Sequence, residues 1–81
     1  MKIHVYDTHV DTSSGEHIHF DVLVNDENIS NVKKFADNYL VSLGVKPVQI
    51  KQDRCNFCHS EMATPEVEEN IQNHGHSILR F

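Results

Sequence analysis

Cys55-Asn56-Phe57-Cys58-His59 is the segment whose residue types and spacing bear most directly on chemistry. Two thiols separated by two residues approach a common point when a tight turn carries them, and thiolate is a ligand that zinc accepts readily. The pair is half of a tetrahedral site. Its other ligands would come from His59 or from His74 and His76, although His74-Gly75-His76 is set more closely than the roughly three to five residues that separate the histidines of a two-Cys, two-His finger. The metal ligands expected are therefore Cys55, Cys58, His59, His74 and His76, with zinc or another soft metal as the cofactor. The same segment fits the C-x-x-C-H pattern of haem attachment, but that reaction belongs to compartments outside the cytoplasm. A redox dithiol is a third chemistry. It needs a helix amino terminus to activate one thiol; Asp53 can cap a short helical turn over 54–60, yet no β-α-β pattern precedes it.

A second constellation lies near the amino terminus. Residues 2–10 and 16–24 alternate at period two, and Asp11-Thr12-Ser13-Ser14-Gly15 between them has a turn composition, which predicts a β-hairpin. A five-residue turn would set Asp7 opposite His19 and His9 opposite His17, gathering histidine and aspartate on one side of the sheet. Such a patch can bind a metal, or hold a proton near neutral pH with His19 acting beside Asp7 or Asp21. It is equally the polar, solvent-facing side of a one-faced sheet. The opposite side of the second strand carries Ile18, Phe20, Val22 and Val24 and should be buried.

These groups must be positioned by a small set of elements. From Ile29, the positions Val32, Ala36, Tyr39, Leu40 and Leu43 recur at helical spacing, Asn28 can cap the start, and Gly44 suits the end. Val48 and Ile50 after Pro47 predict a short third strand within 45–52. Thr64-Pro65-Glu66 is a helix start with a capping hydroxyl, a proline in the first turn and acids at the positive end of the dipole; the helix runs to His74 and ends at Gly75. Residues 76–81 alternate again. The fold expected is α+β, in the order β-β-α-β-α-β, with a small antiparallel or mixed four-stranded sheet and both helices placed most simply on one face.

With 81 residues the chain is expected to form a single domain. Twelve acidic residues against seven basic ones give a net charge of −5, and Lys33-Lys34 is the only adjacent basic pair. This argues against nucleic acid and anionic membranes as partners. Met1-Lys2-Ile3-His4-Val5-Tyr6-Asp7 alternates rather than forming an apolar run, so neither a signal peptide nor a membrane span is read there, and the cytoplasm is the location expected. Reduced thiols follow from that location. There is no glycine loop for phosphate and no Ser/His/Asp nucleophile motif.

The segments Met1-Lys2-Ile3-His4-Val5-Tyr6-Asp7-Thr8, His19-Phe20-Asp21-Val22, Arg54-Cys55-Asn56-Phe57-Cys58-His59-Ser60-Glu61 and Pro65-Glu66-Val67-Glu68 together resemble a small bacterial family of proteins of this length, a domain of unknown function. The resemblance covers nearly the whole chain, and C-x-F-C-H-S-E is its most specific part. It implies an α+β fold and a bacterial source, with no activity or cofactor to carry over, and His74 and His76 lie outside its pattern.

Three functions follow in order of what they require. The first is a non-enzymatic accessory or interaction protein with a protein partner or a second copy of itself, in which Phe57 fills the core edge and the thiols pack as small apolar groups. The second is a zinc domain built on Cys55 and Cys58. The third is a small acid-base enzyme using His19 with Asp7 or Asp21.

Overall fold

The structure, a computed structural model, describes all 81 residues. Strands β1 (Lys2–Thr12) and β2 (His17–Val24) form the predicted antiparallel hairpin. Its turn is tighter than the composition suggests. Thr12 N–H donates to the Glu16 carbonyl and Gly15 N–H to the Thr12 carbonyl, so only Ser13, Ser14 and Gly15 remain outside the ladder. Gly15 makes this closure feasible with φ +89°, a conformation that strains any residue with a Cβ. The register is therefore displaced by two residues from the expected one: Asp7 faces Asp21, His9 faces His19 and Asp11 faces His17. An even displacement keeps every side chain on its predicted face.

Asp26–Asn31 winds as a 3-10 turn before helix α1 (Val32–Ser42), so the helix begins later than Asn28. Instead of capping α1, Asn28 donates to the Asn25 side chain at 2.9 Å and accepts from the Asn31 side chain at 3.2 Å. Val32, Ala36 and Leu40 of α1 pack on Val10, Ile18, Phe20, Val22 and Val24, and Tyr39 meets the Phe20 ring with centroids 4.7 Å apart.

The largest departure follows Pro47. After a short 3-10 turn at Pro47–Gln49, strand β3 extends over Ile50–Met62, straight through the cysteine segment. No helical turn forms over 54–60. The cause is non-local: β1 is eleven residues long, and β3 pairs antiparallel along its whole length, satisfying backbone groups that would otherwise be unpaired. Register shifts interrupt the ladder at Val5/Tyr6 and at Asp11/Thr12. Val5 faces His59 while Tyr6 faces Phe57, which leaves Cys58 as the extra residue of a β-bulge.

Helix α2 (Pro65–His74) starts as predicted, with Thr64 Oγ1 accepting from Val67 N–H at 3.3 Å and Pro65 in the first turn. Strand β4 (Ser77–Arg80) then pairs with β2, giving a four-stranded antiparallel sheet in the order β3-β1-β2-β4. The two helices do not share a face, contrary to the simplest expectation. Ile71 of α2 packs with Ile3, Val5 and Leu23, which point away from the Phe20 side. The physical reason is that β1 and β2 are apolar on both faces at this end, and each apolar patch needs cover. No helix is long and apolar enough to cross a membrane.

Gly75 ends α2 at φ +83°, and a Cβ there would lie 3.1 Å from Phe35 Cζ and 3.3 Å from Asn28 Oδ1. Gly75→Ala combines left-handed strain with this crowding and should cost about 1–2 kcal/mol. Thermal unfolding should show Tm falling by several degrees.

Candidate metal centre

Helix α2 covers only part of its face of the sheet. The rest carries the odd-numbered residues Asp7, His9 and Asp11 of β1 and His17, His19 and Asp21 of β2, all fixed by the ladder. Asp7 sits at the centre. Its Oδ1 lies 2.6 Å from His19 Nε2 and its Oδ2 2.9 Å from His9 Nε2. The two imidazoles stack almost parallel, with centroids 4.0 Å apart, and the Phe81 ring lies against the other side of His19 at 4.6 Å. One ligand atom from each of Asp7, His9 and His19 falls within 4.8 Å of the others. All three side chains are partly exposed, so an ion can reach them from solvent.

The second nitrogen of His9 is also held. His9 Nδ1 lies 3.1 Å from His17 Nε2, and His17 Nδ1 lies 2.6 Å from Asp11 Oδ1. Asp11 is an acceptor only, so His17 donates to it from Nδ1 and, as a neutral ring, accepts at Nε2. His9 then donates from Nδ1, and its Nε2 hydrogen-bonds the Asp7 carboxylate only when it carries a proton as well. Two lone pairs facing each other need a proton or a metal cation between them. A histidine whose outer N–H is relayed to a carboxylate is the usual form of a metal-ligating imidazole.

The charges point the same way. Hydrogen bonds from His19 and then His9 hold the Asp7 carboxyl below the usual carboxylate range, against the opposing effect of partial burial, and His17 does the same for Asp11. Asp21 lies directly opposite Asp7, and the charges of His19 and His59 only partly offset what that position does to it. Burial, with the Asp7 charge adding to it, pushes its carboxyl above the ordinary range. Facing carboxylates are destabilising by roughly 0.2–1 kcal/mol. Asp21→Asn should therefore raise metal-free stability at pH 7 by about that amount. The sign follows from linkage: a raised carboxyl favours the native state at low pH, and that contribution is lost as pH rises through the raised value. Urea unfolding at pH 4 and pH 7 should show the gain at pH 7 and little at pH 4.

The residues first expected to bind metal are dispersed. Cys55 lies on the α1 side, where Thr8 Oγ1 donates to its Sγ at 3.3 Å; Cys58 is exposed at the bulge, and neither forms a disulfide. Three positions along an extended strand span about 10 Å, too far for two thiolates to share an ion without rearrangement. His59 instead approaches Glu61 at 3.3 Å, His74 ends α2, and His76 stacks on Phe35 with centroids 4.1 Å apart. The five do not converge as a ligand group, because the turn that would gather Cys55 and Cys58 is a strand. Phe57 is 56% exposed rather than filling the core edge. The sequence signal that finds the observed cluster is the alternation of His and Asp in the hairpin.

A family model described as a domain of unknown function, DUF2024, matches residues 1–81. Protein NE1680 from Nitrosomonas europaea, solved by NMR, is 38% identical over 100% of this chain and 95% of that one, with a TM-score of 0.81. No curated protein matches.

Proposed function

This chain belongs to the DUF2024 family of domains of unknown function, and from that premise we propose that it binds a divalent transition-metal ion, zinc foremost, through Asp7, His9 and His19. The observation that carries this reading is the convergence of two imidazole Nε2 atoms on one carboxylate, with His9 backed by His17 and Asp11. Imidazole and carboxylate donors suit zinc, which binds them at about 2.0–2.2 Å. Three protein ligands leave a fourth position for water or for Asp21. Bound there, zinc would supply a Lewis acid and an acidified water; the chain's own groups orient the ligands and accept protons.

Native mass spectrometry of untagged protein titrated with zinc tests the reading. One ion per chain is expected, retained by a Cys55→Ser, Cys58→Ser variant and lost in His19→Ala. Loss in the cysteine variant with retention in His19→Ala would return the site to the thiols. An interaction role keeps one observation of its own, since β3 leaves its outer edge unpaired with Phe57 and Met62 exposed. The same spectra report it as dimer or monomer.

A further inference from the structure

Apart from the Asp7 cluster, the fold joins three groups that lie far apart in the chain. His4, only 9% exposed on β1, has its Nδ1 2.7 Å from Ser60 Oγ on β3, and its Nε2 hydrogen-bonds the Asp26 carboxylate at the end of the β2 connection. Asp26 only accepts, so Nε2 carries the hydrogen and Nδ1 offers its lone pair to the Ser60 hydroxyl. The hydrogen bond from His4 holds the Asp26 carboxyl below its usual range, which keeps it ionised. Here are a hydroxyl, a proton acceptor and an orienting carboxylate in hydrogen-bonded sequence.

The surroundings suit an acyl group. Ser60 faces His4 across the ladder on the exposed edge strand, and two large apolar side chains, Phe57 and Met62, flank it on β3, 56% and 69% exposed. Ala63 N–H donates to the Met1 carbonyl, so the alternation of the antiparallel ladder turns Glu61 N–H toward β1 and Ser60 N–H outward. That outward N–H is a free donor beside the nucleophile, where the oxyanion of a tetrahedral intermediate would form.

We propose that Ser60 is an activated nucleophile that takes acyl groups from small esters with apolar acyl chains, with His4 as its base and Asp26 as the positioning residue. Ser60 Oγ bonds to the ester carbonyl carbon while its proton passes to His4 Nδ1. The carbon–alkoxide bond then breaks, and the alcohol leaves with that proton. Water attacks the acyl-serine in the same way, giving its proton to His4, and release of the carboxylic acid restores Ser60. No metal takes part, so this proposal stands or falls separately from zinc binding.

The test is labelling with an alkyl fluorophosphonate, mapped by peptide mass spectrometry, together with hydrolysis of p-nitrophenyl butyrate. Label is expected on Ser60, with none in Ser60→Ala, an exposed substitution that leaves the core untouched. Asp26→Asn should slow labelling about tenfold to a hundredfold and displace the ionisation in its pH profile, while Asp26→Glu restores the rate. Absence of label, label elsewhere, or a rate and pH profile indifferent to Asp26→Asn overturns the proposal.

Discussion

Phe20→Ala is expected to leave the protein largely unfolded at 37 °C. Phe20 is fully buried, meets Tyr39 of α1, and lies in the cluster that joins β1 and β2 to that helix. Truncating a buried phenylalanine costs about 3–5 kcal/mol, part from lost transfer free energy and part from the cavity left behind. A protein of this size has about 4–12 kcal/mol in total, so the loss consumes a large share. Circular dichroism and urea unfolding should show a transition shifted to much lower denaturant, or none. Phe20→Leu, which retains most of the volume, should lose less than half as much; equal losses would mean that the ring's contact with Tyr39, rather than volume, dominates.

Asp7→Ala should produce the opposite pattern, with a large effect on metal and a small one on the fold. Removing the carboxylate on which both imidazoles converge should weaken zinc binding at least about a hundredfold, equivalent to roughly 2.7 kcal/mol. Metal-free stability at pH 7 should move by under about 1 kcal/mol, because lost hydrogen bonds are offset by relief of the Asp21 charge opposite. The variant should also lose an acid dependence. With its carboxyl held low by His19 and His9, Asp7 favours the native state above about pH 4, and the wild type loses that contribution as pH falls through the lowered value. Calorimetric zinc titration and unfolding between pH 2.5 and about 5 measure both effects. A variant that binds zinc as wild type does would remove Asp7 from the site.

The elements legible in the sequence are those that bury a periodic apolar face or carry an end signal. Phe20 and its period-two neighbours announce β2, Val32, Ala36 and Leu40 announce α1, and Thr64-Pro65 with Gly75 bracket α2. The start of β3 at Ile50 falls within the strand read over 45–52, but its extension to Met62 is hidden because Lys51, Gln52, Asp53 and Arg54 show no apolar alternation. It is a strand through pairing with β1, an interaction between residues some fifty positions apart. That hidden strand is why the cysteines looked like a turn. The His/Asp patch was visible as alternation, whereas its pairing depended on Gly15 closing the hairpin in three residues, which composition alone did not reveal. The contact of His4 with Ser60 spans 56 positions and that with Asp26 spans 22, so no local motif marks either.

The sheet's two working faces also constrain how the chain can vary. Along β1, even positions such as Thr8 and Val10 face α1, while Ile3, Val5, Asp7 and His9 serve α2 and the histidine cluster on the other side. Neither parity is spare. A one-residue insertion in β1 would send the cluster's carboxylate into the core and a valine into the cluster in a single step. Drift in this chain should therefore accumulate along the outer flanks of the helices, leaving β1 a nearly frozen record of both constraints.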